Sequence, residues 1–314
     1  MMLNVVILAA GQGKRMHSDV PKVLHPLAGK PLLAHVIKTA EALSPQAIYV
    51  VYGHQGEAVR QAFPDKNITW VEQTKQRGTA HAVEQVLPLL ADDSITLVLY
   101  GDVPLVAVST LRKLCNMLPR DSVSLLVAEV SDPTGLGRII RDRAGQVQAI
   151  IEDKDCSTEQ RHINEIYSGI MVIHTSQLRK WLACVDDNNS QKEFYLTTIP
   201  DLAIADNLRV AAVAAESELE VLGVNTKTQL ALLERCFQQQ QAEELMAQGV
   251  TLLDPARFDL RGNVAVGRDV SIDINVILEG DITLGDRVKV GANSVLRNVR
   301  IADDVTIKEN CVLE

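Results

Sequence analysis

From Val264 onward the chain repeats every six residues, and that period leaves few folds open. The pairs Val264/Val266, Val270/Ile272, Val276/Leu278, Ile282/Leu284 and Val288/Val290 recur at this step, and Gly267, Asp273, Glu279, Gly285 and Gly291 follow each pair in turn. A short flat strand with two inward apolar residues, then a turn, then the same again describes a parallel β-helix whose coils cover one another. A run of hairpins is the competing account, but hairpins do not hold a six-residue register for so long. Solenoids close their ends with polar caps, and none is visible before Glu314. The expectation is therefore a piece of a longer protein.

Ahead of the repeat the pattern is different. Residues 4–9, 47–52, 68–71, 95–100 and 123–128 are short, β-branched and nearly all apolar, as in strands of a parallel sheet buried on both faces. Between the first two, Leu32, Leu33, Val36, Ile37, Ala40 and Leu43 form one helical stripe, with Pro31 at its first turn. Residues 57–63, 80–90 and 109–118 are further helix candidates. This alternation predicts a doubly wound α/β domain over 1–225. Residues 226–249 predict a linker helix carrying Leu230, Leu233 and Phe237, with Gln238 to Gln241 as its solvated face. The β-helix occupies 250–314.

Composition removes several classes of function. A net charge of −9 disfavours nucleic acid, whose backbone needs a basic surface. No apolar run reaches the roughly 20 residues of a membrane span, and the stretch after Met2 lacks the basic lead-in of a signal peptide. The five cysteines are scattered, with no Cys-x-x-Cys pair, so a disulfide framework or zinc site is not expected and a reducing cytoplasm is.

The strongest chemical signal follows the first strand. Leu8, Ala9, Ala10 and Gly11 lead into Gln12-Gly13-Lys14-Arg15, with Lys22 close behind. The glycines let backbone N–H groups approach phosphate oxygens, and Lys14, Arg15 and Lys22 can offset triphosphate charge. The loop lacks the third glycine of a dinucleotide fingerprint and the Gly-Lys-Ser/Thr of a Walker loop. Tyr100-Gly101-Asp102 ends another strand, at the edge where open α/β sheets bind ligands. Asp102 there is placed to hold Mg²⁺, although a plain Gly-Asp turn explains it equally well. Gln73 can read a base edge. Gly78 and Thr79 can line a pocket or simply cap a helix, and His81 reads as packed or surface. Gly137, in Gly135-Leu136-Gly137-Arg138, fits a loop against a sugar or an ordinary turn. Glu152 fits a ligand contact or an exposed acid, and Asn225 a ligand or an N-cap.

Taken together, these motifs resemble the bacterial bifunctional N-acetylglucosamine-1-phosphate uridylyltransferase/glucosamine-1-phosphate acetyltransferase family. The likeness also covers Asp132-Pro133-Thr134-Gly135, Glu193-Phe194-Tyr195-Leu196-Thr197, Gly223-Val224-Asn225 and the junction from Asp254 to Gly262. It implies an α/β, doubly wound, Rossmann-like nucleotidyltransferase domain followed by the start of a left-handed parallel β-helix. It implies UTP and N-acetylglucosamine-1-phosphate as substrates and UDP-N-acetylglucosamine and pyrophosphate as products, for peptidoglycan and lipopolysaccharide precursors. Leu8, Ala9, Ala10, Gly11, Gln73, Gly78 and Thr79 would hold the nucleotide. Arg15 and Lys22 would bind phosphates and Asp102 and Asn225 the Mg²⁺, while Tyr100, Gly101, Gly137 and Glu152 would line the product site. The sugar phosphate is already an anionic nucleophile, so no general base is required. The family packs its β-helices as homotrimers, and its acetyltransferase residues lie beyond position 314.

Two departures fall near the sugar side, and a third is more distant. Tyr167 stands where the family has asparagine, Thr198 where it has aspartate, and Asp153 where it has histidine. Tyr167 keeps open another sugar-1-phosphate such as glucose-1-phosphate, or dTTP as donor. A non-catalytic nucleotide-binding scaffold, and an acyltransferase suggested by the hexapeptides, are the alternatives of other classes.

Overall fold

A computed structural model describes residues 2–53, 55–64, 67–189 and 191–314. The chain divides into two units, Met1–Leu24 with Leu32–Asn225, and His25–Pro31 with Thr226–Glu314. The short His25–Pro31 segment inside the second unit is a departure from the continuous 1–225 domain expected from sequence.

In the first unit β1 (Leu3–Leu8), α1 (Leu32–Glu41), β2 (Ala47–Tyr52), α2 (Gly56–Gln61), β3 (Thr69–Glu72), α3 (Thr79–Glu84), β4 (Ile95–Tyr100), α4 (Val108–Asn116) and β5 (Val123–Glu129) alternate as the sequence predicts. They are followed by β6 (Gly137–Arg141), β7 (Val147–Ile151), β8 (Glu165–His174), α5 (Thr175–Leu182), α6 (Ile199–Ala205) and β9 (Ala211–Ala214). The main sheet runs β9-β5-β8-β4-β1-β2-β3, with β6 and β7 attached beyond β8. It is mixed rather than wholly parallel, because β8 pairs antiparallel with β4, β5 and β6.

Strand alternation explains why helices cover both faces. Val6 and Leu8 join one core with Ala80, Val83, Trp181 and Ile199. Val5 and Ile7 join the other with Leu33, Ile37, Leu111 and Leu114. Each fully buried aliphatic side chain contributes about 2 kcal/mol through lost water contact. The carboxyl ends of β1 and β4 lie side by side, with Leu8 opposite Tyr100. Backbone bonds from Gly101 N to Leu8 O (2.9 Å), Ala9 N to Val51 O (2.8 Å) and Gln73 N to Tyr52 O (2.8 Å) extend that edge into the loops.

In the second unit α7 (Lys227–Ala247) precedes the coils. Phe258 pairs with Val276, Ile277 with Val295 and Val295 with Val312, all parallel, so one coil takes three hexapeptides or slightly less. Val270, Ile272, Val276, Leu278, Ile282, Leu284, Val288 and Val290 are all buried, as the period requires. Left-handed backbone recurs at Asp269, Arg287 and Asp304 and again at Asn275, Asn293 and Asn310, marking stacked corners where Asn and Asp tolerate that conformation. The glutamine run is not purely a solvated face. Gln238 is 1% exposed, and its amide donates to Leu260 O (3.0 Å) and accepts from Leu260 N (2.7 Å). A long side chain there satisfies strand backbone groups that would otherwise be buried unpaired.

Candidate active site

The carboxyl edge of the sheet opens into a cleft of about 560 Å³. Its walls hold most of the residues singled out from sequence: Leu8, Ala9, Ala10, Gly11 and Arg15 from the first loop, Lys22, Gln73, Gly78, Thr79, Tyr100, Asp102 and Asn225. Gly101, between Tyr100 and Asp102 in the chain, is buried and does not line the cleft.

The glycine loop is shaped by its backbone. Gly13 sits at φ 61°, and a Cβ there would lie 2.7 Å from Lys22 Cβ. Glycine thus serves two needs, a left-handed turn and room for Lys22 to pass close by. A turn of 3₁₀ helix over Lys14–Met16 follows and buries Met16, while Lys14 and Arg15 stay exposed at the cleft.

Lys22 is the hinge of the electrostatics. Its ammonium forms an ion pair with Asp102 Oδ2 and donates to Asn225 Oδ1 at 3.0 Å. Asp102 and Asn225, distant in sequence, therefore meet at one cation. Val224 N donates to Asp102 O (2.9 Å) and pins the second segment beside the first. Asn225 is not the N-cap of α7. That position is Thr226, whose hydroxyl accepts from Gln229 N (3.2 Å) while Gln229 Oε1 accepts from Thr226 N (3.1 Å). Among the described residues no three His, Cys, Asp or Glu side chains gather as a metal cluster. The available pair is one carboxylate and one amide oxygen, a donor set suited to a hard cation.

Gly78, not Thr79, occupies the N-cap position of α3. Its φ of 114°, open to glycine but not to a residue with a side chain, places its Cα against the backbone of Phe194, where a side chain has no room. Ala80 N donates to Phe194 O (2.9 Å) and Phe194 N to Arg77 O (2.8 Å), so this loop is stapled in place. Thr79 Oγ1 accepts from Leu196 N (3.0 Å). Burial, then Asp102, push the Tyr100 hydroxyl well above its ordinary pKa; a bond to Thr79 opposes this and Glu152 adds to it. Tyr100 therefore stands as a neutral phenol at physiological pH.

The sugar-side residues are arranged differently. Gly137 begins β6 rather than forming a loop, and its neighbour Glu152 lines a separate hollow of about 180 Å³ with Tyr195, Thr197, Thr198 and Asp201. Neither Gly137 nor Glu152 lines the main cleft. Tyr167 is 4% exposed, and its hydroxyl donates to Gly169 O at 2.7 Å. Desolvation raises its pKa, so it too is a neutral, internally satisfied phenol. Arg138 is buried and binds Leu136 O and Asp153 Oδ1 (2.8 Å), so Asp153 serves as its counter-ion. Gln12, Gln76 and Glu193 also line the cleft and were not singled out from sequence. Gln12 lies within the glycine-loop motif and Glu193 within Glu-Phe-Tyr-Leu-Thr, while Gln76 had no signal.

A mixed α/β sheet with a glycine loop and the Lys22, Asp102 and Asn225 cluster at its carboxyl edge is the arrangement of a nucleotidyltransferase-type domain. Residues 5–251 match the family model described as MobA-like NTP transferase domain, and residues 263–298 match bacterial transferase hexapeptide (six repeats). A nucleotidyl transferase of Methanothermobacter thermautotroptrophicus shares the fold, with a TM-score of 0.56 at 19% identity over 76% of this chain and 99% of that one. The protein named Bifunctional protein GlmU in Nitrosospira multiformis is 52% identical over 99% of this chain and 68% of its own length. Its namesake in Acinetobacter baumannii is 51% identical over 100% and 69%. The chain belongs to the GlmU family and is a nucleotidyltransferase whose hexapeptide coils form a left-handed β-helix. Among the described residues no helix is long and apolar enough to cross a membrane.

Proposed function

We propose that the chain transfers the uridylyl group of UTP to N-acetylglucosamine-1-phosphate, with Mg²⁺ as cofactor, giving UDP-N-acetylglucosamine and pyrophosphate. The observation that carries this reading is the Lys22 ammonium held between Asp102 and Asn225 inside the glycine-loop cleft. A positive charge already sits with both oxygens, so the pair fits a cation, and carboxylate and amide oxygens suit Mg²⁺. Asp102 and Asn225 would hold the ion, and the chemistry it would supply is to offset phosphate charge.

The chain's own residues do the rest. Backbone N–H groups of the loop from Ala10 to Lys14 receive the phosphates. Arg15 and Lys22 offset the charge that grows on pyrophosphate as it leaves. A sugar-phosphate oxygen attacks the α-phosphorus, the bond from that phosphorus to the β-phosphate oxygen breaks, and pyrophosphate departs with the electron pair. Catalysis is alignment and charge stabilisation, with no proton to remove. Gln73, Gly78 and Thr79 take the nucleoside, and Tyr100, Gly101, Gly137 and Glu152 the sugar side. In the same reading the β-helix assembles three copies, and the product feeds cell-wall precursor synthesis in the cytoplasm.

The test is pyrophosphate release from UTP and N-acetylglucosamine-1-phosphate. It should require Mg²⁺, stop with EDTA and resume with excess metal. Nucleotide binding without turnover under these conditions would favour the scaffold reading. Glucose-1-phosphate and dTTP belong in the same panel, because Tyr167 is the observation that favours another sugar. Tyr167→Asn should raise use of the N-acetylated sugar if the phenol obstructs it.

A further inference from the structure

Gln73 is 2% exposed yet lines the cleft, and its amide is held from one side only. Its Nε2 lies 3.1 Å from Gly78 O and 2.9 Å from His81 Nδ1. A carbonyl oxygen can only accept, so the Gly78 contact fixes the amide nitrogen on that side. The same Gly78 oxygen also accepts from Ala82 N (3.2 Å), which ties it to the first turn of α3. With nitrogen so placed, His81 Nδ1 must be the acceptor, and the neutral imidazole carries its hydrogen on Nε2. Gln85 Nε2, which donates to His81 O at 2.9 Å, is then a second donor at 3.4 Å from His81 Nε2 and makes no bond to the ring.

Both N–H groups of Gln73 are therefore consumed inside the protein. No hydrogen bond to its Oε1 is present among the described residues, so an acceptor is what the side chain has left for a ligand. We infer that His81 is a positioning residue for base selection: with Gly78 O it locks Gln73 so that only an acceptor meets the base. A uracil-type ring presents N3–H as a donor and is matched. Cytosine presents N3 as an acceptor and faces oxygen lone pairs, which leaves two buried acceptors unpaired. Rejection by an unpaired polar group is a stronger filter than pocket size. This inference rests on the proposal that the cleft takes a pyrimidine nucleotide, and it adds the residue that enforces the choice.

The experiment measures kcat and KM with UTP and CTP for the native chain, His81→Phe and His81→Asn, with calorimetric binding of both nucleotides alongside. His81→Phe keeps a ring but removes the acceptor, while His81→Asn keeps an oxygen near the Nδ1 position. The native chain should favour UTP by about 100-fold or more. His81→Phe should cut that ratio at least about tenfold by raising the KM for UTP at unchanged kcat, a loss of ground-state binding. His81→Asn should restore most of it. An unchanged ratio in folded His81→Phe overturns the inference, as does equal binding of UTP and CTP to the native chain. Preferential UTP binding without turnover overturns the proposed reaction and leaves the inference standing. If His81→Phe does not fold, a nitrogen-15 spectrum of the native histidines decides: the Nε2–H tautomer supports the lock, and the Nδ1–H tautomer overturns it.

Discussion

The β-helix and the α/β cleft are built on opposite principles. In the β-helix each buried residue is explained by a neighbour about 18 positions away, as Phe258 is by Val276 or Leu278 by Leu296. No single position is special, and loss at one rung is felt by the adjoining rungs. In the cleft, Lys22 meets residues 80 and 203 positions away, and each does something no neighbour repeats. Periodic regions should therefore fail in stability and the aperiodic cleft in chemistry, and that contrast can be broken or sharpened by substitution.

The largest expected effect is in the cleft. Asp102→Ala removes the carboxylate proposed to hold the cation that offsets phosphate charge, and turnover should fall about 1,000-fold or more while the thermal transition changes little. Pyrophosphate release and a melting curve check it together. Next comes the solenoid. Leu278 is fully buried, and Leu278→Ala should cost about 3 kcal/mol, seen in denaturant unfolding, with UTP binding retained. If it abolished nucleotide binding instead, the contrast would be wrong.

Gly13→Ala should fall between. A side chain at φ 61° and 2.7 Å from Lys22 Cβ must push that residue, costing about 1–2 kcal/mol and slowing turnover tenfold or more by kinetics at saturating UTP. The smallest effect concerns Asp201, whose carboxyl desolvation pushes up to about 6, a backbone bond near Ile150 opposing it only in part. A raised carboxyl pKa means the folded chain binds the extra proton more tightly than the unfolded one. Stability should therefore fall as pH rises from about 4 to about 6 and stay lower above. Asp201→Asn should raise the melting temperature slightly at pH 7 and leave it unchanged near pH 3. The residue as a whole is exposed, so screening keeps the gain small.

Legibility in the sequence followed the same divide. The hexapeptide pairs were readable because periodicity states burial directly, and Leu8, Gln73, Tyr100 and Asp102 were readable because each ends or follows an apolar strand. The reversed direction of β8 was not, since an apolar run does not carry its orientation. Gln238 was misread because its partner, the Leu260 backbone, lies 22 positions away. Thr79 and Asn225 each had an N-cap reading as strong as any other, until Gly78 and Thr226 were found in those positions. His81 carried no pattern; its role depends on a carbonyl three residues earlier and an amide eight residues earlier. Tyr167 could be flagged only as a departure, and its hydroxyl bond to Gly169 is a fact of tertiary geometry.

The central claim is that Asp102 and Asn225 converge to hold a divalent cation against a nucleotide in the glycine-loop cleft. Diffraction from crystals soaked with UTP and Mn²⁺ tests this most directly, because manganese scatters anomalously. The account predicts one strong anomalous peak in contact with both side-chain oxygens and with phosphate oxygens, and the Lys22 ammonium moved from between them onto the triphosphate. A peak elsewhere, or UTP bound with Lys22 still bridging Asp102 and Asn225, would contradict it.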